Sequence, residues 1–128
     1  MAALDTLMLL EEMRQELIRA AMEERTVTYG YLMKKFGLSR GRQAGESVVG
    51  TLGEIDRHEI KKDAPGFAAI VVRQDTGFPG GGFFCWDDIP QGLRRPRDEC
   101  QNPQLSDAEK KYVRVEQQRI WGYYRSHH

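Results

Sequence analysis

The chain has 128 residues, of which 40% are apolar, so it can bury one core but not two. Nineteen Lys and Arg residues balance nineteen Asp and Glu residues, and any attraction for a polyanion must therefore come from a local patch. No apolar run approaches the roughly 20 residues of a spanning helix, and no basic segment followed by an apolar one opens the chain. We expect one cytoplasmic domain that does not contact a membrane, with Cys85 and Cys100 as reduced thiols.

The first segment predicts a long amphipathic helix. From Leu4 to Glu24, apolar residues recur every three or four positions with charged residues between them. Acidic residues outnumber basic ones there, so the outer face is expected to point away from any polyanion. This helix is interpreted as scaffold.

Two further helices are predicted between Thr28 and Ile60. Thr28 is suited to cap a short helix that stops at Gly37, and Ser39 is suited to cap a third helix that extends to about Ile60. Glycines within the third helix lower its intrinsic stability but permit close packing.

A positive patch lies in this helical region. Between Thr26 and Glu46 there are four basic residues and only one acidic residue. We expect the four cations to pair with phosphates and two polar neighbours to reach base edges. The cations are Lys34, Lys35, Arg40 and Arg42, and the neighbours are Gln43 and Ser47. The alternative is that short exposed helices simply carry solvated Lys and Arg side chains.

A β-hairpin is predicted next. Residues 67–72 form an apolar run rich in β-branched residues, and residues 83–86 are interpreted as the returning strand. The loop between them contains three consecutive glycines at 80–82, which suit a turn with positive φ angles. Arg73 in this loop is a candidate contact for a nucleic acid, and Phe78 is a candidate contact for a base or a protein partner.

The element order predicts an α+β, winged-helix-like fold. Its core spans residues 1–86, an irregular linker spans 87–105, and a C-terminal helix spans 106–125. Ser106 and Glu109 have the spacing of a capping box for that helix. In a winged helix the third helix enters the major groove and the hairpin touches the backbone or minor groove.

Residues 25–32 (Arg-Thr-Val-Thr-Tyr-Gly-Tyr-Leu) and 49–52 (Val-Gly-Thr-Leu) resemble the DNA-binding half of alkyltransferase-like proteins. The resemblance implies a winged-helix-like scaffold with Tyr29 as a phosphate or sugar contact; the alternative is a half-buried tyrosine that anchors a turn. The Pro-Cys-His-Arg segment of that family is missing, and Ser47 lies near where its nucleotide-flipping arginine is expected. Alkyl transfer is therefore not expected. Residues 69–84 also resemble a segment of small bacterial and phage proteins, which implies a recurring domain without assigning an activity.

The leading prediction is a non-enzymatic DNA-binding protein that uses the third helix and the glycine-rich wing. A protein-interaction module, such as an immunity, antitoxin or phage counter-defence protein, is the alternative, with Trp121 and Tyr124 facing a partner or a second copy. The candidate catalytic residues have no recognisable setting, and neither a metal nor a cofactor is predicted. These candidates are His58, Glu59, Lys61 and Cys85.

Overall fold

The computed structural model describes residues 2–38, 47–86 and 88–127, with side chains from residue 7 onward. Its helices are α1 (Ala2–Met22), α2 (Tyr29–Phe36), α3 (Val48–Lys61) and α4 (Asp107–His127). Its two strands, β1 (Val27–Thr28) and β2 (Val71–Val72), pair in parallel, with Val27 opposite Val71. Short 3-10 turns occur at Ala68–Ile70, Gly81–Cys85 and Arg97–Glu99. The α+β class is therefore confirmed, with helix predominating.

Local hydrogen bonds set the helix ends. Thr28 Oγ1 accepts the Tyr31 N–H at 3.1 Å, and Gly37 ends α2 with a φ of 66°. Ser106 and Glu109 form the predicted capping box, because each side chain accepts the other residue's backbone N–H, at distances of 2.8 and 3.1 Å. These three predictions are confirmed.

The start of the third helix differs from the prediction. Ser47 caps α3, and its Oγ accepts the Gly50 N–H at 3.0 Å. The predicted cap, Ser39, lies in the segment 39–46, outside the described residues.

The predicted hairpin is wrong. The apolar run 67–72 contains a 3-10 turn followed by only two strand residues, which pair with β1, and residues 81–85 form a second 3-10 turn. The linker occupies the place of a strand partner, since the Arg95 N–H donates to the Phe84 carbonyl oxygen at 2.9 Å. A Cβ atom on Gly81 would collide with the Asn102 carbonyl oxygen and the Arg95 guanidinium.

Two apolar clusters share α4. The larger one joins α1, α3, α4 and the run 67–71, with Leu17, Phe67 and Tyr124 fully buried in it. The smaller one contains Phe84, Ile89 and Val113, and it packs the linker against the N-terminal half of α4. The linker is irregular, but its residue Ile89 is buried in this smaller cluster.

Cys85 and Cys100 are joined by a disulfide, with their Cα atoms 6.1 Å apart. The expectation of two reduced thiols is therefore wrong for this structure. The linker folds back over the 3-10 turn Gly81–Cys85, and this return brings together two cysteines that are 15 positions apart.

The described ranges contain no helix with the length and apolarity needed to span a membrane. Within the same residues, no group of His, Cys, Asp and Glu side chains is arranged to hold a metal ion.

Candidate nucleic-acid interface

The helices α2 and α3 follow each other along the chain and leave a basic segment between them. Leu32 anchors α2 in the core, and Val48 and Leu52 anchor α3. The first turn of α3 also reaches the surface, because Val49 is 51% exposed and Gly50 is partly exposed. Val49 and Gly50 are thus accessible just after the segment that contains Arg40 and Arg42, whereas Ser47, Val48 and Thr51 of the same turn are buried.

The described candidate cations differ in their pairing. Lys35 donates to the buried Glu16 at 2.9 Å, and Arg73 forms two hydrogen bonds with Asp75 at 2.8 and 2.9 Å. Lys34 is exposed on α2 and makes no ion pair within the described part of the chain. Arg40, Arg42 and Gln43 lie outside the described residues.

Glu16 fixes Lys35 to α1. The Glu16 carboxylate is 5% exposed and also accepts the Tyr31 hydroxyl at 3.0 Å. Burial acts to raise the pKa of Glu16, but its hydrogen bonds to Lys35 and Tyr31 outweigh that effect and lower it. Lys35 therefore neutralises a buried charge of the scaffold.

Tyr29 links α2 to the glycine-rich loop. Its ring packs against the larger cluster, and burial raises the pKa of its hydroxyl, opposed by a hydrogen bond with the Gly80 backbone. Ser47 is fully buried, and its hydroxyl caps α3. In this arrangement Ser47 does not reach solvent, where a base edge would lie.

Phe78 lies against α4 instead of projecting as the tip of a wing. It packs on the smaller cluster, and the charged groups of Lys110 and Arg114 lie 5.7 and 5.3 Å from its ring centroid. A shallow cleft of about 330 Å³ borders it, with Asp75 and Gln104 among its lining residues. The loop therefore joins the linker and α4.

Of the two aromatic residues predicted to face a partner, Tyr124 lies in the interior and Trp121 is only partly buried. The Tyr124 hydroxyl is fully buried, 2.8 Å from the Pro65 carbonyl oxygen and 3.0 Å from Glu59 Oε2. Burial raises the pKa of Tyr124, and the neighbouring Glu59 raises it further. Trp121 is partly buried and its indole N–H donates to the Arg25 carbonyl oxygen at 3.3 Å. Tyr124 is thus unavailable to a partner because it completes the core.

Glu59, one of the catalytic candidates, is a buried junction between helices. It accepts a hydrogen bond from the Arg14 guanidinium of α1 and lies beside Tyr124 of α4. A surface cleft of about 240 Å³ lies next to it, with His58 and Lys62 on its wall. The Arg14 charge balances the carboxylate, so the group is held as a structural ion pair.

Trp86 and Asp56 are two features that the sequence reasoning missed. A Cβ atom on Gly53 would lie 3.0 Å from Trp86 Cη2, so this glycine lets the indole rest on α3 while 39% of Trp86 stays exposed. Asp56 accepts the N–H groups of Phe67 and Ala68 at 2.7 and 3.2 Å, and burial raises its pKa to about 7. For Trp86, the signal in the sequence was Gly53, a glycine inside a helix where a bulky side chain can pack closely.

Comparison with protein-family models, with curated proteins and with solved structures finds no match to this chain. The region from α2 to the first turn of α3 carries a local excess of positive charge in the sequence, and the structure describes Lys34 and Lys35 on α2 and the accessible Val49 on α3 at its two ends.

Proposed function

We propose that the chain binds DNA through the N-terminal end of α3 and the basic segment that precedes it. The observation that carries the proposal is the exposure of Val49 in the first turn of α3, which follows Arg40 and Arg42 in the sequence. A helix N-terminus attracts phosphate because its backbone N–H groups and its dipole are both positive there. Lys34 on α2 adds a third cation to the segment, and it is exposed and makes no ion pair with any carboxylate of the described ranges.

In this proposal α2, the connecting segment and α3 take the role of the helix-turn-helix in a winged-helix-like scaffold. The loop 73–80 replaces the hairpin wing and is tied to α2 through Tyr29 and Gly80. Exposed Val49 offers a methyl-bearing surface of the kind that contacts thymine in the major groove.

The expected binding is weak, not sequence-selective, and sensitive to salt. The chain as a whole is neutral, so the attraction comes from Lys34, Arg40 and Arg42. Three phosphate contacts predict that the logarithm of the association constant falls with the logarithm of the salt concentration with a slope of about −3.

Fluorescence anisotropy of a labelled random-sequence duplex tests the proposal at low and moderate salt. The variant Arg40→Glu/Arg42→Glu is expected to abolish binding. The control Arg97→Glu/Lys111→Glu makes the same change in net charge at two exposed positions away from α3, and it is expected to bind nearly as the wild type does. Equal losses in both variants, or no wild-type binding at low salt, would contradict the proposal.

We propose self-association as a second candidate, because Val49 and Trp86 expose apolar surface on the same side of α3. Tryptophan is enriched among residues that dominate protein interfaces. Sedimentation velocity distinguishes the two candidates, since self-association predicts a dimer that Val49→Glu converts to a monomer. A wild-type chain that stays monomeric at all concentrations would remove this candidate.

A further inference from the structure

The Cys85–Cys100 disulfide lies next to the proposed DNA-binding helix. Cys85 ends the 3-10 turn Gly81–Cys85, and the following residue is Trp86, whose indole rests on Gly53 of α3. Both cysteines are partly exposed, as exchange with a small thiol or disulfide in solution requires. The covalent bond thus fixes the backbone immediately before the indole of Trp86, which rests on α3.

We propose that this disulfide is a reversible redox switch that sets the position of Trp86 on α3 and thereby regulates DNA binding. The regulatory part rests on the proposed function, whereas the movement of Trp86 does not. The oxidised form is the one with Trp86 held against Gly53, and it is the form that binds.

Both the oxidised and the reduced form are expected to be folded, because noncovalent contacts hold the linker in place independently of the disulfide. The Phe84 ring is fully buried in the smaller cluster, and its carbonyl oxygen accepts the Arg95 N–H at 2.9 Å. The Arg95 guanidinium in turn pairs with Glu109 of α4 at 2.7 Å. After reduction, the linker therefore stays attached at Phe84, the residue immediately before Cys85.

Trp86 has weaker restraints than Phe84. Its ring contacts Gly53, and its carbonyl oxygen accepts the Ile89 N–H at 3.2 Å. Breaking the bond between Cys85 and Cys100 removes the covalent restraint adjacent to this indole. We therefore expect reduction of the disulfide to change the surroundings of Trp86 and to leave the core unchanged.

The chemistry is thiol–disulfide exchange with a low-molecular-weight disulfide such as oxidised glutathione. One cysteine thiolate attacks the glutathione disulfide and forms a mixed disulfide, releasing one glutathione thiolate. The second cysteine thiolate then displaces the other glutathione thiolate, and the Cys85–Cys100 bond forms. Two electrons pass from the protein to glutathione, and the two thiol protons end on the two glutathione thiols.

The first experiment equilibrates the full chain in buffers that span glutathione ratios, and then counts free thiols by alkylation and mass spectrometry. Tryptophan emission is recorded on the wild type and on Trp86→Phe, and their difference isolates Trp86 from Trp121. The expected result is a reversible two-electron transition in which the Trp86 emission changes while the far-ultraviolet circular dichroism does not. A disulfide that persists at every ratio, global unfolding on reduction, or unchanged Trp86 emission would overturn the switch.

The second experiment measures binding to the labelled duplex by the oxidised and reduced wild type and by Cys85→Ser/Cys100→Ser. Reduction and the double substitution are each expected to weaken binding by roughly fivefold or more, the lower end of typical coupling between sites. The double variant is expected to be insensitive to glutathione. Equal binding by all forms refutes the regulation and leaves the proposed function standing, whereas no binding by any form refutes both.

Discussion

Replacing Arg95 is expected to destabilise the protein more than replacing an ordinary surface arginine. The side chain of Arg95 is only 10% exposed and donates five hydrogen bonds. Two of them meet the Glu109 carboxylate at 2.7 and 2.8 Å. The other three meet carbonyl oxygens of the linker, on Glu99, Asn102 and Gln104. Arg95 therefore fastens the linker to α4.

The magnitude follows from the number and burial of these bonds. A hydrogen bond to a charged group contributes about 1.5–3 kcal/mol, and breaking a buried ion pair by removing one partner costs about 3–5 kcal/mol. Arg95→Met leaves Glu109 buried and is expected to lower the free energy of unfolding by about 4 kcal/mol. Arg95→Lys keeps the positive charge but loses the planar guanidinium that donates several hydrogen bonds at once. A decrease of about 2 kcal/mol in the free energy of unfolding is therefore expected.

Urea denaturation followed by far-ultraviolet circular dichroism measures these losses. Arg119→Lys is the matched control, because Arg119 also makes two hydrogen bonds to one carboxylate, that of Glu116, but is 57% exposed. The control is expected to change stability by less than about 0.5 kcal/mol. If Arg95→Lys lowered the free energy of unfolding no more than this control does, Arg95 would not be what holds the linker to α4.

Three further outcomes are expected. The pKa of Asp56 is raised from 3.8 to about 7, so the folded state favours the protonated carboxyl, and stability is lost as the pH rises through the folded value. The free energy of unfolding should fall by about 2–3 kcal/mol between roughly pH 5 and pH 8. This loss should be absent in Asp56→Asn. A wild-type free energy of unfolding that does not change with pH in urea denaturation would contradict the prediction. Gly66→Ala should lower the melting temperature, because the new Cβ would lie 2.5 Å from Asp56 Cγ, whereas Gly30→Ala meets no atom within 4 Å and should not. Ser106→Ala removes one half of the capping box and should cost about 1 kcal/mol in urea denaturation, and an unchanged midpoint would mean that the box is not a stabilising feature.

The sequence alone determined the helices and where several of them begin or end. Thr28 and Ser106 cap their helices through bonds to residues three positions away, and Gly37 ends α2 through its own backbone angle. Such features are readable because donor and acceptor lie within one helical turn of each other. The periodicity of α1 is readable for the same reason, since one apolar face repeats along consecutive turns.

The candidate interface was only partly readable. The cationic cluster is a property of composition, but the carboxylate that neutralises Lys35 becomes evident only in three dimensions. Lys35 meets a carboxylate on another helix, 19 positions away. Tyr124 likewise looked available to a partner, and it is buried because Glu59 and the Pro65 carbonyl oxygen both converge on its hydroxyl.

Tertiary structure decided the partners of the apolar run and of the cysteines. Residues 67–72 are apolar throughout, which indicates burial on all sides but does not name a strand partner. That partner is β1, in parallel, rather than the segment after the glycines, because the linker fills the space beside residues 81–85. The same return of the linker joins Cys85 to Cys100 and buries Arg95. Contacts between distant segments leave no periodic trace in either one, so only the folded chain shows them.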